Sequence, residues 1–136
     1  MIRERVPDKF KAQSMLKAAE IEINFLKTLK PSKETGQTII RGIYEDFRML
    51  GDALLLIRGK EASDIDHHND MINELFNITV KTSRPVQSLL NLKTLRHKIN
   101  YKGYLPSIEE INDTIGLMES LFKPLLDAII KEKERL

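Results

Sequence analysis

Apolar residues return every three or four positions along most of the chain, the pattern of helices packed on a shared core. Phe10, Met15, Leu16, Ala19, Ile23, Leu26 and Leu29 mark a first helix. Pro7-Asp8 opens it, with Asp8 as its N-cap, and Lys30-Pro31 closes it. Pro31 to Gly36 reads as a connector. A second helix is expected from about Gln37 to Ile57, on the stripe Ile40, Ile43, Phe47, Leu50, Leu54 and Ile57. Its last turn and a half, Ala53-Leu54-Leu55-Leu56-Ile57, is apolar all round. Such an end is buried on more than one side, either in the bundle centre or in an oligomer interface. Leu54, Leu55 and Leu56 are the interface candidates.

Gly59 is a stop signal. Ser63 or Asp64 then caps a third helix with Asp66 in its first turn, carrying Met71, Ile72, Leu75 and Phe76. After a connector at 79–85, Pro85 suits the first turn of a fourth helix with Val86, Leu89, Leu90, Leu92, Leu95 and Ile99. That helix ends near Tyr101-Lys102-Gly103. Ser107 and Glu110 form a capping box for the last helix, which Ile108, Ile111, Ile115, Met118, Leu121, Phe122, Leu125 and Ile129 carry. Pro124 should kink or interrupt it. The charged tail 131–136 is expected to fray in solvent. The fold class is all-α: an antiparallel bundle of about five helices, with 1–136 as one domain.

Composition agrees with that class. The chain has 136 residues, 41% hydrophobic and 31% charged, enough for one core. Leu and Ile dominate, Trp is absent, and turn signals are too few for a many-stranded sheet. The chain has no cysteine, which excludes disulfides, thiolate metal sites and cysteine nucleophiles. No apolar run reaches the ~18 residues that would cross a bilayer. Met1-Ile2-Arg3-Glu4-Arg5 is followed by no apolar leader segment. A cytoplasmic protein without a membrane span is the expectation.

The formal charge is only +2, but it is unevenly spread. No Asp or Glu occurs from Leu75 through Ile108, a stretch that holds Lys81, Arg84, Lys93, Arg96, Lys98 and Lys102. Glu61, Asp64, Asp66, Asp70 and Glu74 crowd the segment before it. The basic stretch either draws phosphates or pairs with the acidic segment across the bundle. On the fourth helix Lys93, Arg96, His97 and Asn100 share an arc of roughly 100°, and Tyr101 and Tyr104 follow. Arg offers a planar fork for phosphate, Asn and Tyr add neutral donors, and tyrosine can stack a base. His67-His68 point about 100° apart on a helix and chelate poorly. Neither a metal nor a cofactor is expected, and there is no Gly-rich phosphate loop, H-E-x-x-H or Gly-x-Ser-x-Gly.

Two stretches carry a likeness to a known family. One is Ile43-Tyr44-Glu45-Asp46-Phe47-Arg48-Met49-Leu50-Gly51-Asp52-Ala53-Leu54-Leu55, followed by Gly59 and then His67 or His68. The other is Leu95-Arg96-His97-Lys98-Ile99-Asn100-Tyr101, with the Ser-x-x-Glu-capped helix after it. In pattern and order the chain resembles the small HEPN (higher eukaryotes and prokaryotes nucleotide-binding) domains, over roughly Gly42 to Phe122. The resemblance implies an antiparallel helical bundle that forms a homodimer, with the two copies facing each other across a cleft. Active members are metal-independent RNases. Many are toxins neutralised by a partner, often a small nucleotidyltransferase, and others serve as binding modules.

The family signature is an arginine followed four to six residues later by histidine. Arg96 matches the arginine, but Tyr101, Lys102 and Gly103 stand where the histidine would fall, and His97 is on another spacing. Arg-x-x-x-Asn-Tyr is close to the Arg-x-x-x-Asp-Tyr of a compact branch of the family. The resemblance therefore implies a nucleotide- or RNA-binding face of Lys93, Arg96, His97, Asn100, Tyr101 and Lys102, ranked above catalysis. If the protein cleaves RNA, Arg96 and Tyr101 are the catalytic candidates, and His97 is the nearest evident base. A protein-binding scaffold that uses Leu54 to Ile57 is the reading from a different class.

Overall fold

A computed structural model describes residues 3–4, 6–62 and 67–135. Five α-helices make up most of it: α1 (Lys9–Leu26), α2 (Gly36–Ile57), α3 (His67–Leu75), α4 (Leu89–Lys102) and α5 (Ile108–Arg135). Two-residue strands β1 (Arg3–Glu4) and β2 (Lys60–Glu61) pair antiparallel, Arg3 opposite Glu61. The all-α helical bundle expected from the periodicity is the observed architecture. The expected caps Ser63 and Asp64, and Asp66, lie outside the described residues, as do the side chains of His67 and His68.

Local signals explain most boundaries. Asp8 accepts from the Lys11 backbone N–H at 2.9 Å and caps α1. Ser107 and Glu110 bond each other's backbone N–H groups at 3.1 and 2.9 Å, the reciprocal box that starts α5. Gly103 ends α4 in the left-handed region, at φ 62°. A 3₁₀ turn, Val86–Ser88, precedes α4 after Pro85.

Helix α2 is the centre. It is covered by α1, α3, α4 and α5, and most of its 22 residues are buried. Phe47 meets Phe122 of α5 edge-on, with ring centroids 5.6 Å apart. Gly51 lets α3 approach at backbone level: a Cβ there would stand 1.9 Å from the Met71 carbonyl oxygen.

Four expectations need correction. Leu54, Leu55 and Leu56 are no oligomer interface. They are 0%, 0% and 3% exposed, because Leu54 and Leu56 join the main core while Ala62 and Met71 of the same chain cover Leu55. Pro124 does not interrupt α5, since Leu121, Phe122, Leu125 and Leu126 are buried on either side of it and hold the helix to the core. Residues 131–135 do not fray. They continue α5, and Arg58 at the end of α2 donates to both carboxylate oxygens of Glu132, at 2.6 and 2.8 Å. Arg58 also donates to Glu74 at 2.9 Å, tying the end of α3 into the same joint. Phe10, placed by spacing with the core stripe of α1, points away from α2 and is exposed.

One polar group sits in the α1–α2 seam. Asp46 is fully buried and neither of its oxygens receives a protein donor in the carboxylate form. Glu22 of α1 lies within hydrogen-bonding reach. Two adjoining carboxyls can bond only by sharing a proton. Burial, then the hydrogen bond to Glu22, pushes Asp46 up to about 9 from 3.8. The folded chain therefore holds a proton that the unfolded chain releases near its ordinary value, and stability falls as pH rises between the two. Asp46→Asn should remove that slope: in urea melts the variant should gain on wild type from pH 5 to pH 8. Leu55→Asp should unfold the chain, seen as loss of far-UV helical signal, whereas an interface residue would leave a folded monomer.

Candidate functional site

The amphipathic pattern of α4 fixes which of its residues can meet a ligand. Leu89, Leu92 and Ile99 are buried against the bundle. Arg96 lies on the flank of that buried face nearest α2, half-buried, with its guanidinium carbon 5.1 Å from the centroid of the Tyr44 ring. Asn100, one turn on, meets its Nε–Nη2 edge. With the amide oxygen facing the guanidinium, it accepts from Arg96 Nε at 3.0 Å and from Nη2 at 3.3 Å. A cation laid on an aromatic face and gripped by an amide loses little more freedom on meeting an anion. Among the described residues Arg96 forms no ion pair.

Tyr44 is the member that the face pattern of α4 does not reveal. It comes from the core stripe of α2 and is 1% exposed. Burial pushes its phenol up and Arg96 pulls the other way, so Tyr44 is a neutral platform at physiological pH. Its signal in the sequence was the Tyr-x-x-Phe of the second helix, which gives no pairing with a residue 52 positions later.

The exposed crest of α4 carries the other half of the site. The His97 and Tyr101 rings stand 4.7 Å apart, tilted by 41°. Tyr101 is 68% exposed, so its ring can take a further flat group. Lys93 is half-buried one turn before His97. Five of the six expected binding residues, Lys93, Arg96, His97, Asn100 and Tyr101, thus cluster along one side of α4. Lys102 does not belong with them. It stands nine residues after Lys93, roughly 180° around the helix.

The rest of the basic stretch is engaged elsewhere. Arg84 donates to Asp113 Oδ1 at 3.0 Å. Lys98 Nζ lies 4.6 Å from the Tyr104 ring centroid, and Tyr104 donates its hydroxyl to Glu110 at 2.6 Å. Arg84, Asp113, Lys98 and Glu110 border a groove of about 430 Å³ between α4 and α5, floored by Leu92, Leu95 and Leu117. Of the acidic segment, Glu74 pairs with Arg58 and Lys60.

No cluster of three or more His, Asp or Glu that could hold a metal ion occurs among the described residues. No helix there is long and apolar enough to cross a membrane. Comparisons with family models, with curated proteins and with solved structures give no match to this chain. Asn100→Leu should keep the fold, because Asn100 is exposed, yet release the guanidinium. ¹⁵N relaxation at Arg96 Nε should then show faster local motion than in wild type.

Proposed function

We propose that the protein binds RNA or a nucleotide through the Arg96 side of α4, as a HEPN-like module. In this reading it works as a homodimer beside a partner of the nucleotidyltransferase type, in a toxin–antitoxin-like system. The observation that carries the proposal is the setting of Arg96. Its guanidinium lies on Tyr44 and is gripped by Asn100, with Lys93 nearby and the exposed His97–Tyr101 pair alongside. Arg96 and Lys93 supply charge for a phosphate, and Tyr101 supplies a face for a base. The stretch without acidic residues removes the repulsion that a phosphate would otherwise meet.

Cleavage is the second reading, and the His97–Tyr101 contact favours it. A metal-independent RNase needs a base for the ribose 2′-hydroxyl and a cation for the charge that builds on phosphorus. His97 and Arg96 are the groups for those two tasks, although they leave the helix about 100° apart. Binding without turnover is the stronger expectation. The scaffold reading loses its basis, because Leu54 to Ile57 are covered within the chain.

The test is a single-stranded RNA incubated in EDTA, with wild type beside Arg96→Ala. Wild type should bind, and binding should weaken steeply between low and moderate salt. Arg96→Ala should weaken it by at least about tenfold with the helical signal intact. Salt-independent binding, or full binding by Arg96→Ala, refutes the reading. Products ending in a 2′,3′-cyclic phosphate, lost in Arg96→Ala, would move the assignment to an RNase.

A further inference from the structure

A cavity of about 540 Å³ lies between the C-terminal half of α5 and the segment 77–81 that follows α3, with Arg58 at its edge. It is well away from the Arg96 site: Tyr44, under Arg96, and Arg58 stand about 20 Å apart along the axis of α2. Pro124, Asp127, Ala128, Lys131 and Arg135 line it from α5. Their spacings of three and four keep them on one side of that helix. Thr79 and Lys81 line it from the segment 77–81.

The charges around this cavity do not cancel. Both of its acids are already committed. Glu132 accepts from Arg58 at 2.6 and 2.8 Å, and Asp127 stands 3.3 Å from Lys123, one turn earlier on α5. Arg58 in turn is spent on Glu132 and Glu74. Lys81, Lys131 and Arg135 enter no ion pair among the described residues. Cations from two separate parts of the chain thus border one cavity with no anion of the protein to meet them. Lys131 and Arg135 stand at i and i+4, a like-charge pair that destabilises a helix until an anion bridges it.

The layout of the charge selects the ligand. Lys131 and Arg135 form a row about 6 Å long on α5, and Lys81 joins it from the segment 77–81. A short chain of phosphates meets more of these cations than a single phosphate does. A phosphate group carries about 1.5 to 2 negative charges near neutral pH, so two linked phosphates match three cations. Arg135 offers a planar fork, the lysines offer point charges, and Thr79 adds a neutral donor. No aromatic side chain lines the cavity, so it has no face on which a base would stack, unlike Tyr101 on α4. We infer that this cavity is a binding site for a short phosphate chain, a diphosphate or triphosphate, recognised by its phosphates and not by any group they carry.

The test is calorimetry of the full chain with inorganic tripolyphosphate at moderate salt. Wild type should bind it at least about tenfold tighter than orthophosphate. Lys81→Gln, Lys131→Gln and Arg135→Gln, all at exposed positions, should each weaken binding by at least about tenfold with the helical signal intact. Lys133→Gln removes the same charge from the other side of α5, where Lys133 donates to Gln13, and should bind as wild type does. Arg96→Ala should also keep full affinity, so this site and the RNA-binding face fail separately. ADP should bind no tighter than pyrophosphate, and citrate more weakly than tripolyphosphate. The inference is overturned by absent binding, by equal weakening in Lys133→Gln, or by a loss in Arg96→Ala that Lys131→Gln does not share. Preference for ADP over pyrophosphate, or citrate binding as well as tripolyphosphate, overturns it too.

Discussion

The fold depends on one helix that must be covered on every side. Helix α2 carries Ile39, Ile40, Ile43, Phe47, Leu50, Leu54, Leu55 and Ile57, all essentially without solvent contact. No single neighbour can bury an apolar surface that runs right round a helix, so four helices pack on it. The remaining geometry follows. α3 approaches at Gly51, where there is no side chain to hold it off. α5 lies on Phe47 through Phe122. α1 meets it at Asp46 and α4 at Tyr44, two residues that point roughly 200° apart around the helix.

Polar groups drawn into this core are few, and each does something specific. Arg58 closes the end of α2 by bridging Glu132 and the buried Glu74, so three helix ends meet in one charged joint. Breaking one member of such a joint leaves a buried charge uncompensated, which costs more than the joint adds when intact. Asp46 is the opposite case. It is held neutral by burial and by Glu22. The bundle is therefore locked at one end by ion pairs and loosened by base in its α1–α2 seam.

The Arg96 site shows how a core residue becomes part of a surface site. Tyr44 is buried to fill space beside α4, yet its ring face is what orients the arginine that a ligand would meet. Asn100 completes the grip from the same helix. The arrangement presents a cation with little freedom left to lose, and its neighbours His97 and Tyr101 add flat, exposed rings.

The sequence by itself determined the helices, because periodicity, caps and stops are local: Asp8, the Ser107–Glu110 box and Gly103 act within one turn of where they stand. It also placed Lys93, Arg96, His97 and Asn100 on one side of one helix, since helical geometry alone decides that. Only the tertiary structure decided what each face meets. Leu54 to Leu56 read equally well as an interface or a core, because apolarity does not say which surface covers it. Phe10 and Leu16 are both apolar on one helix, and only docking on α2 showed that one is inside and the other out. The tail at 131–135 looked solvated because its anchor, Arg58, is 74 residues away from Glu132. Tyr44 under Arg96 was hidden for the same reason: a contact between distant positions leaves no local signal, and it exists only once the chain has closed around α2.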